Sequence, residues 1–378
     1  MTEGFAARGY LIDVVVPNPP PGQSTTWENR DAWPDWLRIH PVTYMRPKPL
    51  QQLFFTAGTP ENLSRAPWKH MLVLPAALCL WNTVESLAPN WSAVVSHWLL
   101  PSALIAPRVP HIHLPHLAIA HSGDVHLLKQ IPGRSVVAAA IARRSSAVGF
   151  ISNQLRTEFA AMLPSSHPYV HKLHVTPMGI SQMSTAATPK ETQRSGSEVS
   201  PPTFTVLYVG RLTAIKGVLK LIEAAHDDSF RLVIAGEGEQ ESALRQACVQ
   251  HGANAIFYGR VSPEERNALM QTADVLVVPS VELPNGRHEG IPMVIPEAMA
   301  AGLPVVASRT GGIEELIVDR ENGLLVPPGD SESLRRAIAE LRNSTSLSQR
   351  LRTWASQTAT ERLWSKLIPR YEQLLFNR

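Results

Sequence analysis

The chain is poor in cysteine, with only 2 in 378 residues, Cys79 and Cys248. They stand far apart, one in each half, which argues against a disulfide framework and for a reducing compartment. Long apolar runs are missing too. The longest stretch, Met71 to Trp81, is broken by Pro75 and falls short of a bilayer span. Glu3, Arg8 and Asp13 interrupt the first apolar residues, which is not the layout of a secretory signal. A cytoplasmic protein is expected, at most peripheral at the inner face of the plasma membrane. No long basic run, zinc-finger spacing or RNA-binding aromatic motif occurs, so nucleic acid is not an expected partner. Asp-x-Asp is absent, and with it the usual ligands of a divalent cation on a nucleotide diphosphate.

What is present points to two α/β domains, because 378 residues exceed one typical core. Residues 1–175 hold 14 Lys/Arg against 9 Asp/Glu, a net of +5. The remainder holds 21 against 23, a net of −2, and the two sum to +3. The basic excess is modest and fits an anionic acceptor or a membrane surface, with Arg46, Lys48, Arg65, Trp68 and Lys69 in one early stretch. Residues 181–203 are polar and rich in Ser, Thr and Pro, and read as a linker or exposed loop. We therefore expect a first domain over residues 1–180 and a second over 204–357. A C-terminal helical segment over 358–378 should pack back toward the first, with Pro369 kinking or dividing it.

From residue 204 onward, short apolar strands alternate with helical segments, which predicts a parallel sheet covered on both faces. In the first half the candidate strands are Leu11–Val16, Met71–Leu74, Ala93–Ser96, Leu117–Ala120, Ala147–Ile151 and Val170–Val175. The expected fold class is α/β, with two Rossmann-like doubly wound domains facing across a cleft.

Glu289 and Glu297 stand eight positions apart around a short predicted helix, Met293 to Ala301, with Pro292 at its first position and Gly302 closing it. The segment Gly290, Ile291, Pro292 and Met293 leads into the helix start, whose free N–H groups and partial positive charge suit a phosphate, Pro292 itself donating none. Two carboxylates nearby can accept from sugar hydroxyls, although two solvated glutamates would look the same. Gly210, Arg211 and Lys216 follow a strand and precede a helix, as a diphosphate clamp or as ordinary surface cations. Gly236 and Gly238 lack the third glycine of a dinucleotide fingerprint, since Glu241 holds its place. Tyr258, Gly259, Arg260 and Val261 close another strand and either meet a base or pack inward. His121 and Asp124 sit on a strand-end turn suited to polar catalysis or hydroxyl binding. His111, His113, His116, His121 and His126 cluster, yet their spacing matches no closed zinc pattern, and no metal or other cofactor is expected.

From Gly210 to Pro328 the chain resembles the retaining family 4 glycosyltransferases of GT-B fold. The resemblance rests on GRLTAIKG, AGEGEQ, FYGRV, ADVLVVPS, GRHEGIPMVIPEAMAAGLPVVAS, TGGIEELI and NGLLVPPGD. In the first half, HWLLP and HSGD resemble strand-end patterns of the acceptor domain, and Met178-Gly179-Ile180 its close. The loop PNPPPG at Pro17–Gly22 is similar to that of bacterial exopolysaccharide and colanic-acid transferases. The resemblance implies transfer of a sugar from a nucleotide-sugar donor to a glycan or lipid-linked acceptor. Arg211 and Lys216 would neutralise the diphosphate, Glu297 would bind ribose, Glu289 and His121 the donor sugar, and the turn at 258–261 the base. A nucleotide-sugar epimerase of the same fold and a non-catalytic partner subunit are the alternatives. Pro296, beside Glu297, departs from the aliphatic residue of relatives.

Overall fold

A computed structural model describes residues 1–20, 33–54, 59, 62–63, 66–106, 114–164, 168–181, 204–226 and 230–376. The expected linker from residue 182 on, the loop from Pro21 to Glu28, Arg65, His111 and His113 lie outside the described residues. The chain divides into two compact units, Met1–Pro177 with Leu367–Arg378, and Met178–Lys366.

The first unit holds two parallel sheets. β1 (Ile12–Pro17) pairs with β2 (Leu37–Val42). A second sheet runs in the order β3 (Val94–His97), β4 (His116–Ala120), β5 (Ala147–Phe150) and β6 (Leu173–Val175). β4 and β5 are buried at every position, which is why they read as continuous apolar runs. The expected strand at Val170 starts later, after a 3-10 turn at Val170–Lys172. The expected strand Met71–Leu74 is instead helical. A 3-10 turn, Pro67–Leu72, leads into the helix Val73–Leu87. Leu72 at the end of the turn and Ala76 and Leu80 in the helix are buried, four apart, the spacing of one helix face. Pro75 is tolerated because N–H groups of a first turn have no intrahelical acceptor. Pro67–Asn90 is consequently one helical stretch of 24 residues with mean hydropathy 1.5, long and apolar enough by those criteria to cross a membrane. The shorter span read from the sequence is corrected accordingly.

The second unit holds one parallel sheet of six strands in the order β12-β11-β10-β7-β8-β9. These are β7 (Thr205–Val209), β8 (Arg231–Ala235), β9 (Ala255–Gly259), β10 (Val275–Val278), β11 (Val305–Ser308) and β12 (Leu324–Val326). Helices cover both faces and two apolar clusters fill the layers. Val206, Leu232 and Val277 point into one, Leu207, Leu276 and Val305 into the other. The sheet order reverses between β7 and β10, the switch point where open α/β sheets take ligands beyond their strand ends.

Near the C-terminus the helix Thr345–Thr360 ends and a new one, Trp364–Phe376, begins. The break lies ahead of Trp364, not at Pro369, which sits inside the second helix. The break is held by Ile180, which donates to the Arg362 carbonyl (2.8 Å) and accepts from the Trp364 N–H (3.0 Å). A Cβ on Gly179 would lie 2.5 Å from the Trp364 ring, so only glycine allows the chain past it. From Leu367 onward the last helix belongs to the first unit. There Tyr371, fully buried, donates its hydroxyl to the Pro177 carbonyl (2.9 Å) and Glu372 pairs with Arg8 (2.7 Å).

Candidate active site

The strand ends of the second unit are tied side by side through their backbones. Gly210 N–H donates to the Ala235 carbonyl (3.0 Å), and Gly236 N–H to the Gly259 carbonyl (2.7 Å). Leu212 N–H donates to the Glu237 carbonyl (2.9 Å) and Val281 N–H to the Ile215 carbonyl (2.9 Å). These links place the turns after β9, β8, β7 and β10 along one edge. Tyr208, buried in β7, donates its hydroxyl to the Arg211 carbonyl at 2.8 Å and so fixes the loop carrying Arg211. Burial, with the Glu289 charge second, pushes that phenol far above its ordinary range, so it stays a donor.

Lys216 and Glu289, 73 residues apart, meet here. Lys216 Nζ lies 3.0 Å from Glu289 Oε2, and both side chains are largely shielded from solvent. The glutamate loop is pinned from behind. Gly312 N–H donates to the Gly290 carbonyl (3.1 Å). Gly311, at φ +60°, approaches so closely that a Cβ there would stand 1.8 Å from the Glu289 carbonyl oxygen. No other residue type fits, on space and on backbone conformation. Gly290, Ile291 and Pro292 are buried, and Met293 is half-buried.

Glu297 lies on the helix Val294–Ala300, whose N-cap is Met293; Pro292 therefore precedes the helix and does not open it. Gly302 takes a left-handed φ of +70° just past its end. Pro296 leaves the helix intact, since Glu297 N–H still reaches the Met293 carbonyl at 3.2 Å. The Glu297 carboxylate pairs with Arg266 at 3.2 Å. Arg266 is set by the motif Ser262-Pro263-Glu264-Glu265. Glu265 N–H donates to Ser262 Oγ (3.2 Å) and Ser262 N–H to Glu265 Oε2 (2.7 Å), a capping box that fixes where the helix Pro263–Thr272 starts. Burial raises the Glu297 pKa and the guanidinium of Arg266 opposes the rise.

Gly210, Arg211, Lys216, Tyr258, Gly259, Arg260, Val261, the segment Glu289–Met293 and Glu297 thus share the carboxyl edge of one sheet. Tyr258 and Arg260 are exposed. Sequence reading missed Tyr208, Arg266 and three buried hydroxyls at the same strand ends, Thr213, Ser280 and Ser308. Their Oγ atoms have no partner among the described residues. A shallow hollow lined by Glu223, His226, His251, Ser331, Glu332 and Arg335 lies away from this edge, at helix termini, where Arg335 already pairs with Glu332 at 2.7 Å.

His121 and Asp124 belong to the first unit. Asp124 is fully buried and accepts the N–H groups of Leu99 (2.7 Å), His121 (2.8 Å) and Val125 (2.8 Å). Both its oxygens are occupied by backbone, so it positions the turn after β4 and is not placed to touch a substrate. The catalytic role expected for Asp124 is corrected to this one. Burial pushes its carboxyl up to about 7 against the pull of those N–H donors. His121 Nε2 lies 3.2 Å from His97 Nδ1, with the rings stacked at 5.4 Å. Desolvation lowers the His121 pKa to about 4, which keeps the imidazole neutral at physiological pH. His116 is buried between Ser96 Oγ (2.8 Å) and Ser145 Oγ (3.1 Å), a structural tie at the start of β4 and no metal ligand. Among the described residues no group of three or more His, Cys, Asp or Glu is arranged to hold a metal.

Against known proteins, the family model described as glycosyl transferases group 1 matches residues 189–358. The amylovoran biosynthesis glycosyltransferase AmsK of Erwinia amylovora is 30% identical over 279 residues, 67% of this chain and 67% of that protein. Two uncharacterized glycosyltransferases of Methanocaldococcus jannaschii match over only 45% and 33% of their own lengths. Among solved structures, sucrose-phosphate synthase from Thermosynechococcus elongatus superposes with TM-score 0.75 at 20% identity, over 100% of this chain and 91% of that one. Anabaena HepE in complex with UDP-glucose gives 0.67 at 20%, over 97% and 98%. The likeness in structure establishes a GT-B fold of two Rossmann-like units. With the sequence match to AmsK and the family model over the second unit, the chain belongs to the group 1 glycosyltransferases.

Proposed function

We propose that this chain is a retaining glycosyltransferase of hexosyltransferase type. It moves a sugar from a nucleotide diphosphate sugar to a glycan or lipid-linked acceptor in cell-surface polysaccharide assembly. The observation that carries the reading is the shielded Lys216–Glu289 pair at the switch point of the sheet, with Glu297 following on the next helix. A cation there offsets charge on a departing diphosphate, and the carboxylate beside it accepts from donor-sugar hydroxyls. Arg211 adds a second cation, Glu297 takes the ribose hydroxyls, and the turn at residues 258–261 meets the base. Thr213, Ser280 and Ser308 are hydroxyls for which a donor oxygen would be a partner. AmsK is named for amylovoran biosynthesis and HepE was solved with UDP-glucose, which supports the class of donor and product.

In the reaction, the acceptor oxygen bonds to the anomeric carbon on the face from which the diphosphate leaves. The carbon–oxygen bond to the diphosphate breaks with both electrons going to the phosphate oxygen, which takes up the acceptor's proton. Lys216 and Arg211 hold the charge that develops. A neutral His121 can donate to or accept from a sugar hydroxyl without a change of protonation. No metal takes part in this scheme.

Incubation with UDP-, GDP- and ADP-sugars and cell-envelope lipid acceptors, followed by nucleotide release, tests the proposal. Release with one donor, unaffected by a chelator, and a product of unchanged anomeric configuration are expected. No turnover and no nucleotide binding with any donor would sink it.

A further inference from the structure

The helical stretch Pro67–Asn90 is apolar on two faces. Leu72, Ala76 and Leu80 pack inward, the first two with Tyr44, Leu53 and Leu63, and Leu80 with Val42 and Ile105. On the opposite side Trp68 (47% exposed), Met71 (76%), Leu74 (66%) and Leu78 (44%) face solvent. Met71, Leu74 and Leu78 are spaced three and four apart, so they form one stripe along the helix. A continuous stripe of large apolar side chains is costly in water and marks a surface that something covers.

The charge beside it says what. Over residues 35–90, which take in the whole helical stretch, Arg38, Arg46, Lys48, Arg65 and Lys69 stand against Asp35, Glu61 and Glu85, a net of +2 (5 − 3). Tyr44 and Leu53 share a core cluster with Leu72 and Ala76, so the exposed loop bearing Arg46 and Lys48 sits next to the start of the helix. An apolar stripe flanked by cations fits the boundary of an anionic bilayer, where side chains enter the acyl region and cations meet headgroups. We infer that this face docks the first unit on an anionic lipid surface. It lies on the surface and does not span, because spanning would strip Leu72, Ala76 and Leu80 from their core partners. The inference deepens the lipid-linked acceptor reading and rests on it for its purpose, though not for its geometry.

Flotation of the full chain with vesicles of phosphatidylglycerol in phosphatidylcholine, and of phosphatidylcholine alone, tests it. The protein should float with the anionic vesicles and lose binding as salt rises. Met71→Ser, Leu74→Ser and Leu78→Ser together should lower the partition coefficient on the order of a hundredfold. Arg46→Gln with Lys48→Gln should lower it about fivefold per cation. All five positions are exposed, and an unchanged melting temperature shows that the variants fold. The inference is overturned if the wild type stays at the bottom of the gradient, or if the triple variant floats equally well. It is also overturned if the triple variant instead splits a dimer in sedimentation, which would make a second copy the occupant. Flotation reads no turnover, so its failure leaves the donor chemistry standing, and a protein inactive with every donor could still float.

Discussion

The two units use their strand ends in opposite ways. In the second, charged side chains are brought to the edge and paired only lightly with each other, Lys216 with Glu289 and Arg266 with Glu297. In the first, the corresponding groups are neutralised or consumed by the backbone. Asp124 is fully bonded to N–H groups, and His97 and His121 are both held below their ordinary pKa. One edge keeps charge available for a ligand and the other removes it. The proposed diphosphate would need such countercharge, whereas the proposed hydroxyl acceptor would not.

The contrast can be broken most sharply at the second unit's edge. Lys216→Ala should lower kcat for the donor by about a thousandfold, because the transition-state charge loses its counter-ion, while KM changes less. The unfolding midpoint should barely move, which steady-state kinetics beside thermal denaturation would show. Gly311→Ala should do comparable harm through the backbone, since its Cβ would displace the Glu289 carbonyl. Loss of nucleotide binding by calorimetry is the readout.

The first unit should respond in stability. Asp124→Ala leaves three N–H donors without their acceptor and should cost about 3 kcal/mol, read from denaturant midpoints. His116 gives a pH signature. Its pKa is about 4 in the folded chain against 6.5 when exposed. The unfolded chain therefore takes up the proton first, and the contribution, whole above pH 6.5, is lost as pH falls toward 4. By pH 5 the loss should be about 2 kcal/mol. Asp124 works the other way, its raised pKa giving stability that fades as pH rises from 4 toward 7. Replacing His116 with Asn should therefore flatten the acid-side fall in melting temperature, and a curve unchanged by the substitution would contradict this account.

The smallest expected effect separates pairing from binding in the second unit. Arg266→Met removes the charge opposing the burial of Glu297, so the carboxyl titrates higher still. Nucleotide affinity should weaken as the pH is lowered, more than in the wild type, and recover as it is raised. A loss that is the same at every pH would mean that Arg266 touches the nucleotide itself.

The second unit was legible for a physical reason. Parallel strands buried on both faces are short unbroken apolar runs, and FRLVIAG and ADVLVVPS announce themselves between turn residues. β12, only three residues long, did not. In the first unit β2 was hidden because LRIHPV carries Arg38, His40 and Pro41, which edge strands allow and central ones do not. Met71–Leu74 misled because an apolar run without period reads equally as strand or buried helix. At the site, residue types at strand ends could be named from their neighbours in the chain. Their pairings could not. Arg266 meets Glu297, and Lys216 meets Glu289, only because β10 lies beside β7. Asp124 was misread since its burial follows from Leu99, on a different strand end.

The last helix has a consequence for the order of events during synthesis. The first unit counts Leu367 onward among its own residues, and the buried Tyr371 and Leu375 complete its interior. During synthesis this unit thus closes only after the whole of the second unit has been made. Until residue 376 has emerged, the first unit lacks the helix that carries Tyr371 and Leu375 into its interior. The second unit, continuous in sequence from Met178 to Lys366, has no such wait.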